Sequence, residues 1–140
     1  MHVYSVKEST YRNKPVIEIL VDGNTWGNVY EYDENFRFGL TKAKMIIAGM
    51  DTIEKFYNSD GRELPLENAI KIENEKYGII LFCTKFDEFK VYDKILEKPY
   101  LELVAEGVRL GIGLQKARAL LDLEDEIKQF IDKNINRDRS

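Results

Sequence analysis

His2 and Cys83 are the only histidine and the only cysteine in 140 residues, and their scarcity closes off several chemistries at once. With the histidine at the start of the chain, Ser-His or Cys-His nucleophilic catalysis has no base in a sensible place. No Cys/His pair has zinc spacing, and one cysteine cannot form an intramolecular disulfide. Cys83 lies in the apolar run Ile79-Ile80-Leu81-Phe82-Cys83 and reads as a buried, inert thiol. Gly107, Gly111 and Gly113 open no Lys-Ser/Thr helix start, so a phosphate-binding loop is not indicated. Glu88-Phe89-Lys90 is a Glu-x-Lys of the kind found in Mg²⁺-dependent nucleases. That chemistry also needs an acid on the preceding strand to complete a hard oxygen site, and Tyr77 to Thr84 has none. The expectation is a protein that is not an enzyme and needs no cofactor or metal, with a nuclease around Glu88 and Lys90 as the alternative.

Cations and aromatic rings offer binding instead. Lys42 and Lys44 fall near the start of one predicted helix, Lys116 and Arg118 near the start of another. A cation there opposes the positive end of the helix dipole, at a cost of roughly 0.3–1 kcal/mol. An anion docked on the free N–H groups would be held by the same side chains. Solvated surface residues inherited from one ancestor would give the same pattern. The rings include Tyr4, Trp26, Tyr30, Tyr32, Phe36, Phe38, Tyr77, Phe82, Phe86, Phe89, Tyr92 and Tyr100. Rings beside cations on a sheet make a stacking platform for single strands. Phe36 and Phe38 read as core, and Trp26, Tyr30 and Tyr32 are read both as core and as stacking rings.

The elements that must carry these residues follow from periodicity. In the first half, His2 to Lys7, Val16 to Asp22, Trp26 to Asp33 and Phe36 to Leu40 read as strands. A helix from Thr41, its N-cap, to Tyr57 follows, with Ala43, Ile46, Ile47, Met50, Ile53 and Tyr57 on one stripe. Asn58-Ser59-Asp60-Gly61 stops it, Gly61 suiting a left-handed position. Residues 58–66 are the expected linker. In the second half, Ala69 to Glu73, Tyr77 to Thr84, Phe89 to Ile95, Tyr100 to Glu106 and Val108 to Gly113 read as strands, followed by a helix from about Leu114 to Lys133 and a frayed tail. Strands then a helix, twice, predict an α+β protein with antiparallel curved sheets, each covered by one helix.

Gly39 to Tyr57 also lies over Gly113 to Ile131 without a gap, at an offset of 74 residues and with seven of nineteen positions identical. This predicts one domain of two tandem β-β-β-β-α repeats, about 1–60 and 67–134, in pseudo-twofold arrangement. A net charge of −4 argues against whole-surface attraction to nucleic acid or anionic lipid, but not against a local basic groove. No apolar run reaches the length of a membrane span, and no signal segment opens the sequence. A cytoplasmic location is expected.

Asn35-Phe36-Arg37-Phe38-Gly39-Leu40-Thr41-Lys42 with its helix, and Val108-Arg109-Leu110-Gly111-Ile112-Gly113-Leu114 with its own, resemble the entry from last strand into helix of the PUR repeat and the related Whirly and PC4 folds. The resemblance implies two intertwined repeats whose curved sheets grip single-stranded DNA or RNA. Glu18, Asp22, Glu31 and Asp33 stand where those families carry cations, so none of their contact residues transfers individually. The leading expectation is a non-catalytic single-stranded DNA or RNA binder. It would use Arg37, Lys42, Lys44, Arg109, Lys116 and Arg118 on phosphates, with Trp26, Tyr30 and Tyr100 as stacking rings. The alternative is a protein-interaction module that forms a homodimer or recruits a partner through its open sheet face.

Overall fold

A computed structural model describes residues 1–30, 33–62, 69–91 and 94–135, with the side chains at 89–91 and 96 left aside. Tyr32, residues 63–66 of the expected linker, and all of the expected tail beyond residue 135 lie outside the described residues. The protein is α+β with antiparallel sheets. The first sheet comprises β1 (Tyr4–Tyr11), β2 (Lys14–Val21), β3 (Asn24–Thr25) and β4 (Arg37–Phe38), with β2 pairing all three others. The second has the order β10 (Val108–Gly113), β9 (Tyr100–Ala105), β6 (Ile79–Phe86), β5 (Ile70–Asn74). β7 (Phe89–Val91) and β8 (Lys94–Leu96) form a separate hairpin.

Turn chemistry fixes these registers. The β1–β2 hairpin turns through Arg12 and Asn13, β2–β3 through Asp22 and Gly23, and β9–β10 through Glu106 and Gly107, every one at positive φ. Two consecutive left-handed residues match the right-handed twist of the strands that they join.

The helices are shorter than expected. One continuous helix from Thr41 to Tyr57 is in fact α2 (Leu40–Ala48) and α3 (Met50–Asn58), and its counterpart is α4 (Leu114–Asp122) and α5 (Glu124–Asn134). The break falls at Gly49 and at Leu123, 74 residues apart, as do the starts of α2 and α4 and of α3 and α5. At Gly49 an added Cβ would lie 2.9 Å from Leu81 Cδ2 and 3.3 Å from the Met45 carbonyl, so the chain bends where its backbone lies close against the sheet. α2 begins at Leu40, which leaves Thr41 inside it rather than at its cap. The end of α3 matches expectation and adds detail. The Gly61 N–H donates to the Phe56 carbonyl (2.7 Å) and the Asp60 N–H to that of Tyr57 (3.2 Å), with Asp60 and Gly61 both left-handed.

The expected strand over Trp26 to Asp33 is instead a single helical turn, α1 (Trp26–Val29). Its period was ambiguous, because a spacing of four puts residues 26 and 30 on one face of either a strand or a helix. The loop beyond decides. The Trp26 indole N–H donates to the Asp33 carboxylate at 3.0 Å, and the Gly27 N–H donates to Asn35 Oδ1 at 3.1 Å. The expected strand from Phe89 to Ile95 is likewise two short strands, β7 and β8.

The chain forms two compact units, and neither is a continuous half of the sequence. Residues 1–43 with 122–140 make one, residues 44–121 the other. In the first, Ile17, Ile19, Val21 and Phe38 on the sheet, with Trp26, Phe36 and the α5 residues Ile127, Phe130 and Ile131, make the buried core. α5 packs along β2, and Lys133 reaches Glu8 on β1 at 2.8 Å. In the second, Ile79, Leu81, Cys83, Leu101, Leu103 and Ile112 face inward, and α3 contributes Ile53 and Phe56. Each fully buried side chain of this size stabilises its unit by about 1.5–3 kcal/mol. Each unit is therefore completed by a helix that the sequence places beside the other sheet.

Candidate binding surface

The alternation of buried and exposed residues along β6, β9 and β10 divides the second sheet into two faces. The inner face is apolar and meets α3, where the Thr52 hydroxyl is hydrogen-bonded to the Cys83 thiol. Burial pushes that thiol up to about 11, the bond to Thr52 pulling weakly the other way. Cys83 is accordingly the inert core thiol that its apolar run suggests.

The outward face is unusual in carrying large apolar groups. Ile80 is 49% exposed and Phe82 is 41% exposed. The register places Lys71, Phe82, Val104 and Arg109 in one row across the sheet. Thr84, Glu102 and Gly111 make the next, followed by Phe86, Tyr100 and Gly113. Phe86 and Tyr100 are stacked, centroids 5.1 Å apart at 19°. A Cβ added at Gly111 would reach Tyr100 Cδ2 at 4.0 Å, and one at Gly113 would meet nothing within 4 Å. Both glycines lie on the outward face of β10, so the ground beside the Tyr100 ring is bare backbone. Partial burial raises the Tyr100 phenol above its ordinary range, and Glu102 adds to the shift.

Charge on this face is balanced. Arg109 lies 3.5 Å from Glu102, and Lys71 lies 3.2 Å from Glu73. Pairs this exposed are worth about 0–1 kcal/mol, so an incoming anion could replace either carboxylate at little cost. Lys85 points the other way, nearly buried and 2.9 Å from Asp87.

The expected site residues are divided between the two units and, within the second, between the sheet and the helix layer. Arg109 and Tyr100 share this outward face. Arg37 is exposed on β4, where it pairs across the ladder with Glu18 on the first sheet. Lys42 is half-buried at the start of α2 and falls in the first unit, whereas the half-buried Lys44 and Lys116 and the exposed Arg118 fall in the second. The Arg118 guanidinium sits 5.7 Å from the centroid of the Tyr57 ring on α3, so it belongs to the helix layer. Trp26 is corrected: it has no exposed surface and packs against Tyr30 and Phe36, so no base can stack on it. Tyr30 is half-buried and tied by its hydroxyl to that of Tyr4 at 3.0 Å. His2, at the start of the chain, contacts Asp22 Oδ2 through Nδ1 at 2.7 Å.

Ile80, Phe82 and Phe86 are not legible as site residues because β6 is apolar on both faces and its one inward cation, Lys85, blurs the alternation. The two glycines flanking the inward Ile112 in Gly111-Ile112-Gly113 are the available signal. Among the described residues no cluster of three or more His, Cys, Asp or Glu could hold a metal, and no helix is long and apolar enough to cross a membrane. Glu88 immediately precedes β7, and the side chain of Lys90 lies outside the described ones. No protein-family model matches the chain, and neither a curated protein nor a solved structure matches it significantly.

Proposed function

We propose that this protein is a non-catalytic binder of single-stranded nucleic acid, and that bases rest on the outward face of its second sheet. One observation carries the reading: Phe82, Phe86 and Tyr100 share a single solvent-facing surface beside two glycine positions. A base stacked on an exposed ring gains about 1–3 kcal/mol whatever its identity, and a bare strand lets a flat group approach. Arg109 and Lys71 stand on the same face for the phosphates.

The 74-residue spacing of helix starts and helix breaks supports two tandem repeats, and the units built from both halves of the chain support an intertwined pair of the PUR or Whirly type. Fluorescence anisotropy with a labelled single-stranded oligonucleotide tests the function. Binding should weaken steeply with salt, because each neutralised phosphate releases counterions. Absence of binding to DNA and RNA probes at about 50 mM salt would end this reading.

A protein-interaction module is the second reading, favoured by the exposed Ile80 and Phe82 on a face with matched charges. It predicts a salt-insensitive homodimer or partner complex without oligonucleotide affinity, which light scattering would reveal.

A further inference from the structure

The far end of the β1–β2 hairpin stands outside the core. Every residue from Lys7 to Lys14 is exposed, whereas Ile17, Ile19 and Val21 further along β2 are buried. The turn itself is left-handed at Arg12 (φ 52) and Asn13 (φ 65). The two comparable turns put glycine second, Asp22-Gly23 and Glu106-Gly107, where no Cβ resists positive φ. This turn uses no glycine and sets an arginine at its apex.

That choice gathers groups suited to a polyanion. The Arg12 guanidinium lies 5.3 Å from the centroid of the Tyr11 ring, and Tyr11 is 63% exposed. Lys14 faces Tyr11 across the ladder. Behind them Lys7, Glu18 and Arg37 form one cross-strand row, and Glu8 is engaged by Lys133. Five cations thus meet two carboxylates on and beside this hairpin, in a chain whose net charge is −4. Among the described residues neither Arg12 nor Lys14 has an ion-pair partner.

We infer that the tip formed by Tyr11, Arg12 and Lys14 is a second contact for single-stranded nucleic acid. Arg12 and Lys14 would each neutralise a backbone phosphate, and the Tyr11 ring would carry a base. The inference rests on the nucleic-acid reading above and adds to it a site in the other unit. A phosphate contact carries no sequence information, so the tip strengthens binding to all sequences alike.

The test is anisotropy of a labelled oligo-dT with the full chain between about 50 and 200 mM salt, comparing the wild type, Arg12→Gly with Lys14→Ala, and Tyr100→Ala. Glycine suits the left-handed apex, so the double variant should keep or raise its melting temperature. Its slope of log affinity against log salt should fall by about 1.4, two phosphates at about 0.7 each. Tyr100→Ala should weaken binding and leave the slope unchanged. A wild-type slope in the double variant overturns the hairpin contact alone, while a wild type that binds no oligonucleotide overturns both readings. Competition by poly-glutamate equal to that by unlabelled oligonucleotide would make the tip an acidic-protein dock and overturn its assignment to nucleic acid.

Discussion

On the outward face of the first sheet the central row is Lys7, Glu18 and Arg37, charges alternating across three strands. On the second, the outward residues of β6 are Ile80, Phe82, Thr84 and Phe86, with Tyr100 and Val104 beside them on β9. The inner faces differ far less. Ile17, Ile19 and Val21 in one unit and Leu81, Cys83, Leu101 and Leu103 in the other bury β-branched and aliphatic side chains, beneath α5 and α3 respectively. Inner faces are held alike by the need for a dry core. Outer faces are free to diverge, so the contrast between them is where a difference in role can be read: rings and bare backbone on one sheet, charge and a cationic hairpin on the other.

The largest effects should come from the cores, which also test whether the two units lose structure separately. Phe56 on α3 and Phe130 on α5 sit 74 residues apart and are both essentially unexposed. Either Phe→Ala change should cost about 3–5 kcal/mol in chemical denaturation. Hydrogen exchange should then show β6 and β9 amides opening after Phe56→Ala and β1 and β2 amides after Phe130→Ala. Uniform loss in both variants would mean that the units act as one.

Next in size is the thiol of the second unit. Cys83 titrates near 11 against an ordinary 9.0, so the folded state holds its proton more tightly than the unfolded state. The contribution to stability is therefore complete below about pH 9 and is lost as pH rises toward 11. Native protein at pH 8 should react with a thiol reagent on the order of 100-fold more slowly than unfolded chain, as two pKa units require. Equal rates would show the inner face to be open.

Tyr100→Ala should lower oligonucleotide affinity by an amount equivalent to about 1–3 kcal/mol, read by anisotropy, with a smaller effect on folding. Ile80→Ser should change stability by no more than about 0.5 kcal/mol, since Ile80 is half exposed already. Under the protein-interaction reading it would instead abolish self-association in light scattering. The smallest effect is expected at a turn. Asn13 occupies in β1–β2 the place that Gly107 holds in β9–β10, both at positive φ. Gly107→Asn should thus cost only a few tenths of a kcal/mol, whereas Gly107→Val should cost about 1–2 kcal/mol in thermal unfolding.

Much of the local structure was legible because short-range physics dictated it. The strand from Val108 to Gly113, the helix start at Leu114 and the stop at Asp60-Gly61 follow from alternation, a small-residue entry and left-handed turn residues. Trp26 to Asp33 reads as a strand although it forms a helical turn, because residues 26 and 30 share a face under either period and the deciding bonds come from Asp33 and Asn35. The outward site on β6 was hidden because residues 79–86 are apolar on both sides, which leaves alternation with nothing to distinguish.

The sequence by itself determined the class of fold and the 74-residue correspondence of the helices, since both depend on residue type and spacing along the chain. Only the tertiary structure decided which sheet each helix completes, that Trp26 is sealed, and which rings face outward. Those outcomes depend on which apolar surfaces meet across long sequence separations. Periodicity can mark a face as apolar, but it cannot name the partner that covers it.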